Sequence, residues 1–122
     1  MDSEFIRTLI LIFDRDLTQV HREVESYTHE EVLWKICGEI KNPGGNLCLH
    51  ICGNLQHFIG HVLGQSGYQR NRDYEFAARN IPRTALLTEV AATRKVVRDT
   101  LSALDPQQLL KPFPAPTPAG EV

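Results

Sequence analysis

Charge is missing from the middle of this chain. No Asp, Glu, Lys or Arg occurs from Asn42 to Gln69, although 23% of the 122 residues are charged. A helix with one face in water carries charge on that face, so this segment is expected to be covered on nearly every side. It is too polar to span a membrane, since Asn46, His50, Asn54, Gln56, His57 and His61 interrupt it. Nowhere does an apolar run approach the roughly 18–20 residues that a spanning helix needs. A basic stripe is also missing: the net charge is −2 and the two signs are intermixed. Nucleic acid is therefore not an expected partner, because phosphate binding needs clustered Lys and Arg. Met1-Asp2-Ser3-Glu4 lacks the basic start and unbroken apolar stretch of a secretory signal. Cysteine is scarce. Cys37, Cys48 and Cys52 are an odd set without metal-finger spacing, which points to a reducing cytoplasm and to small buried apolar roles.

What the chain does have is helical periodicity. Phe5, Leu9, Ile12, Phe13, Leu17, Val20 and Val24 recur at three- and four-residue spacing, predicting a helix over 4–26 capped by Ser3. Thr28-His29-Glu30-Glu31 places acidic residues in a new first turn, so 29–38 reads as a short helix or a sharp continuation of the first. Asn42-Pro43-Gly44-Gly45 is the clearest breaker. The uncharged helix then runs from about Asn46 to Leu63 as the central rod of a bundle, or as a helix that also faces a second subunit. A long polar loop is expected over 64–82, and a loop of that length is usually functional or mobile. Its Arg70-Asn71-Arg72-Asp73 run reads as solvated, with a weaker reading in which Tyr68, Arg70 and Arg72 line the mouth of a small-ligand pocket beside the histidines. Leu86, Val90, Val97, Leu101 and Leu104 predict an amphipathic helix over Arg83–Ala103, followed by a short turn from Asp105-Pro106 through Leu110. Prolines at 112, 114, 116 and 118 forbid a further helix, so one helical domain over 1–111 should end in an extended or disordered tail over 112–122. The fold class is all-α.

At about 100° per residue, His50, Asn54, His57 and His61 share an arc of roughly 60° on the uncharged helix. Leu47, Ile51, Leu55, Phe58 and Val62 form a neighbouring apolar stripe. Cys48 and Cys52 lie beyond that stripe, which disfavours a Cys/His zinc site within this helix. His57 and His61, four apart, can share one metal ion, but they would need further ligands from Asp16, His21, Glu23 or His29. The commoner role for such a pair is hydrogen bonding to backbone or to Asn54. His50 is about 10.5 Å further along the axis, too far to join them easily. Alone, it is more often a satisfied core histidine than a ligand.

The run Gly45-Asn46-Leu47-Cys48-Leu49-His50-Ile51-Cys52-Gly53-Asn54-Leu55-Gln56-His57-Phe58-Ile59-Gly60, followed by Gly67-Tyr68 and Arg72-Asp73, resembles the DinB-like family. The likeness extends over roughly residues 4–113, although only the histidine helix is specific. It implies an up-down four-helix bundle, often a homodimer, holding a divalent metal such as zinc or nickel with three histidines. His50 occupies the position of the first. The other two come, in that family, from a His-x-x-x-His pair on a last helix, following a turn like Leu109-Leu110-Lys111-Pro112-Phe113. Better understood members are metal-dependent enzymes acting through small thiols, thiol S-transferases among them.

After Phe113 this sequence has neither a fourth helix nor a histidine, and His57/His61 does not replace the missing pair. Three readings follow: a shortened version of a longer protein, a member that has lost the chemistry, or one that borrows ligands across a subunit interface. An incomplete bundle leaves an apolar face open, so self-association is expected, and a non-catalytic interaction module is the alternative to an enzyme.

Overall fold

The apolar repeat near the N-terminus closes α1 over Ser3–Ser26. In the computed structural model the described residues are 3–115 apart from 37 and 40. The expectations for Cys37, for the cap formed by the Ser3 side chain and for the tail beyond residue 115 lie outside them. Within α1, Ile6, Leu17 and Val24 are buried, whereas Phe5 and Ile12, expected in the core, are 50% and 40% exposed. The stripe is rotated slightly toward Ile6.

His29 has an extended backbone, which breaks α1 from the acidic segment, and Glu30–Trp34 forms a separate 3-10 helix. Helix α2, Gly44–Leu55, starts directly after Pro43 and continues without a break as a π-helix over Gln56–Leu63. The wider winding shows at its end, where Gly64 N–H donates to Ile59 O at 3.1 Å, five residues back. The polar stretch expected as a loop contains a further short helix, α3, over Arg72–Ala77, capped by the Asn71 side chain on Tyr74 N–H. Two acidic residues in its first turn, Asp73 and Glu75, suit the positive end of a helix. Helix α4 spans Arg83–Ala103, and Asp105 caps a 3-10 turn over Pro106–Leu110. All regular structure among the described residues is helical.

Helix α4, not the uncharged α2, takes the central place. It packs against α1 on one side and against α2 and the π-helix on the other, while α1 and α2 barely touch. Polar contacts fix α1 and α4 antiparallel. Arg94 turns Nε and Nη2 onto Asp14 Oδ1 at 3.0 and 2.8 Å. At the other end Arg83 donates to the carbonyl of Tyr27, satisfying the last turn of α1, and the Glu30 carboxylate accepts from Arg83 N–H at the start of α4. Pro82, at the N-cap of α4, has no side chain that could do so.

The core has two apolar clusters. One joins Val24, Leu33, Trp34, Leu49, Leu86 and Val90; the other joins Ile6, Leu17, Ile59, Val97, Leu101 and Leu104. Between them along α4 lies a buried polar pair, with Gln56 donating to Thr93 and Thr93 to the Glu89 carbonyl. Cys48 and Cys52 are free thiols buried in the first cluster, as expected of small apolar residues.

The expectation that α2 is covered on nearly all sides is not met within one chain. Its buried side is Asn46, Cys48, Leu49, Cys52 and Gly53. Leu47 and Ile51 are 42% and 36% exposed, so the first half of the apolar stripe read from the sequence faces outward, while Leu55, Phe58 and Val62 are half-buried. Among the described residues no helix is long and apolar enough to cross a membrane.

Gly45 shows how tightly α2 enters. A Cβ there would lie 2.8–2.9 Å from three ring atoms of Trp34. Gly45→Ala should therefore cost about 1–3 kcal/mol through overpacking. Thermal unfolding followed by circular dichroism should show a midpoint several degrees lower, and an unchanged midpoint would mean that the ring moves aside freely.

Candidate functional site

The first inward polar residue of α2 organises the site. Asn46 is fully buried, and its Nδ2 donates to the carbonyls of Glu75 and Ala78, both at 2.9 Å. Its Oδ1 accepts from Arg79 at 3.0 Å. Six residues are far too few for a helix to persist alone, so α3 depends on external ties of this kind. Asn46 satisfies carbonyls left open at the end of α3 and fixes that helix against α2.

Held in this way, α3 directs Glu75 inward, where it is 4% exposed. Arg70 closes on the carboxylate as a fork, Nε to Oε2 and Nη2 to Oε1, each at 2.9 Å. Both side chains are largely buried, at 13% and 5% exposure, so the pair needs this bidentate geometry to offset lost hydration. The sequence reading of Arg70 as a solvated loop residue is thus corrected. Gly53 makes the approach possible, because a Cβ there would lie 1.8 Å from Glu75 Oε2. Arg72, by contrast, stays outside with its guanidinium 5.4 Å from the centre of the Phe76 ring.

His50 joins the same carboxylate. Its Nδ1 is 3.0 Å from Glu75 Oε1 and 3.1 Å from Arg70 Nη2. Assigning the proton to Nδ1 lets the ring donate to the shorter, negatively charged contact, while the guanidinium is already satisfied by the carboxylate. That tautomer leaves the Nε2 lone pair free, and among the described residues Nε2 has no hydrogen bond. The ring packs against Phe76 with centroids 4.8 Å apart, and the side chain is 31% exposed. His50 borders the outward stripe of Leu47 and Ile51.

His57 and His61 lie on the π-helix with ring centroids 6.1 Å apart and nearly parallel. His57 meets Phe58 edge-on at 4.7 Å. His61 Nδ1 accepts from Gly67 N–H at 3.2 Å, which places the proton of the neutral ring on Nε2. Among the described residues no three His, Cys, Asp or Glu side chains converge as metal ligands, so Asp16, His21, Glu23 and His29 do not complete either histidine set. The two buried thiols are free and lie four residues apart on α2. Cys48 is pushed up in pKa by its hydrogen bond to Cys52 and by burial, and the same bond draws Cys52 down.

Sequence reasoning missed Glu75, the partner of Arg70, and the clamp made by Asn46. One signal was available: Gly53 stands inside a helix, where glycine costs about 1 kcal/mol relative to alanine, and so marks a close approach.

A family model described as "Protein of unknown function (DUF1572)" matches residues 1–114. No curated protein and no solved structure matches the chain.

Removing the charge of Glu75 should be far costlier than removing both partners. Glu75→Gln leaves Arg70 buried and unpaired and is expected to lose about 3–5 kcal/mol, whereas Arg70→Met with Glu75→Leu should recover most of it. Urea unfolding of the two variants measures the difference. A loss below about 1 kcal/mol in Glu75→Gln would mean that the pair behaves as a surface salt bridge.

Proposed function

The chain belongs to the DUF1572 family, and on that premise we propose that it is a DinB-like helical protein that binds a divalent metal ion through His50. One observation carries this reading. The Glu75 carboxylate sits 3.0 Å from Nδ1 and leaves Nε2 free, the arrangement that orients a metal-ligating histidine and raises its basicity.

The donor set fits in part. A catalytic site of the zinc type takes three protein ligands and keeps one position open, and His50 is one such ligand. The others would come from outside the described residues, most simply from a second copy or another segment docked on the open face beside Leu47 and Ile51. His57 and His61 are weaker candidates, since ligation through His61 Nε2 would break its bond from Gly67. A bound ion would supply Lewis acidity, lowering the pKa of a coordinated thiol or water. The chain's own residues do the positioning. Glu75 holds the imidazole in one tautomer, Arg70 neutralises that carboxylate, and Phe76 supports the ring face. The outward Leu47 and Ile51 offer an apolar wall for the body of a small thiol, the substrate class that the resemblance to thiol S-transferases suggests.

Protein purified without a histidine tag should take up nickel or zinc stoichiometrically, and His50→Ala should abolish that uptake while His61→Ala leaves it. Elemental analysis after dialysis provides the measurement. Substoichiometric metal that His50→Ala does not change would remove the reading.

A second reading rests on the shallow groove between α1 and α2, a space of about 230 Å³ walled by Val20, Glu23, Val24, Tyr27, Leu47 and Ile51. We propose that a second copy of the chain covers it, because the α2 wall carries no charge and can meet its own copy without like-charge repulsion, Glu23 being the one charged residue on the α1 wall. A purely structural module of this kind would form dimers with no metal requirement. Sedimentation at micromolar concentration should give a dimer, and Ile51→Glu a monomer. A wild-type monomer under those conditions would count decisively against it.

A further inference from the structure

A cavity of about 230 Å³ lies between α2, α4 and the segment that leads into α3, on the side of Gly53 away from His50. Its wall includes Leu49, Cys52, Tyr68, Tyr74, Glu75 and Glu89. It opens along α4 into a shallower cleft of about 590 Å³ that shares Leu49, Tyr74 and Glu89 and adds Ile81 and Ala85. His50 lines neither space.

Two carboxylates face this cavity, and they differ. Glu75 is matched by the Arg70 fork. The Glu89 side chain has no hydrogen bond or ion pair among the described residues. The space therefore holds one uncompensated negative charge beside two phenol rings, above a floor of Leu49, Ile81 and Ala85. Tyr68 keeps its proton, since burial first, and then Glu89 and Glu75, raise its pKa above the ordinary value. The Tyr68 ring is thus neutral and electron-rich, and the Tyr74 ring lines the same space. An anion would meet carboxylates with no free cation. A neutral apolar ligand would dehydrate Glu89 without replacing its hydration, which is costly for a charge. A cation with an apolar body meets all three elements at once, because a carboxylate and aromatic faces both attract it.

We propose that this cleft binds a small organic cation of the alkylammonium class, its head between Glu89 and the tyrosine rings and its body on Leu49, Ile81 and Ala85. The site is independent of metal binding at His50.

The test uses the full chain, stripped of metal with a chelator, and choline as the probe against its neutral isostere 3,3-dimethylbutan-1-ol. Nitrogen-15 correlation spectra should show saturable shifts confined to residues 68–75 and 81–92 with choline and none with the alcohol. Glu89→Gln, on the exposed side of a stable helix, should weaken binding roughly tenfold or more, and Tyr68→Phe should retain it because the ring remains. Absence of saturable shifts at tens of millimolar choline, equal binding of the alcohol, or an unchanged affinity in Glu89→Gln would each overturn the proposal. Because metal is absent throughout, failure here leaves the His50 reading untouched, and loss of metal uptake leaves this one untouched.

Discussion

The buried carboxylate of Glu75 is the contact on which the functional half of the molecule depends. A charge with 4% exposure persists only if it is paired and hydrogen-bonded, and here a forked guanidinium and an imidazole meet it with three bonds. That requirement sets the rest. Gly53 must lack a side chain, Arg70 must fold back five residues ahead of its partner, and α3 must hold its register. Asn46 meets the last condition by taking two carbonyls from the end of α3. The network is charged, yet its job is largely geometric: it fixes a six-residue helix that could not exist alone, and with it the orientation of one histidine.

The same carboxylate divides two environments. On one side His50 keeps an Nε2 that has no hydrogen bond among the described residues. On the other, Glu75 forms part of a cavity whose second acid, Glu89, lacks a counter-charge. The two sides share a wall and differ in chemistry. An imidazole nitrogen is a donor for a transition-metal ion, while an unmatched carboxylate beside phenol rings suits a cation that cannot be coordinated.

The packing of the helices explains why α2 carries no charge although part of it is exposed. α4 lies between α1 and α2 and contributes to both apolar clusters, with Leu86 and Val90 in one and Val97 and Leu101 in the other. One side of α2 is consumed by α4 and α3, and the opposite side, with Leu47 and Ile51, borders the groove beside α1. The buried face and the apolar outward face leave only the arc of His50, Asn54 and His57 for polar groups outside the core, and none of these is an acid, Lys or Arg. The surface is unlike that of an ordinary amphipathic helix, where the outward face is solvated.

Much of the helical framework was determined by sequence alone. The α4 boundaries, Arg83–Ala103, agree with the expected span, and the α1 span differs by one residue. Strong apolar periodicity and proline or glycine breaks are local signals, and helices answer to local signals. The position of His50 on an uncharged helix was legible for the same reason. Which helix is central, which face of α2 is buried and that Arg70 is not solvated were decided by tertiary structure. Periodicity gives the angle between residues on one helix but not the angle of that helix to its neighbours. Short α3 was hidden because its stability comes from Asn46, 29 residues from Glu75 in sequence, rather than from its own composition. The carboxylate that orients the histidine likewise lies 25 residues away, joined to it only after the chain has folded back.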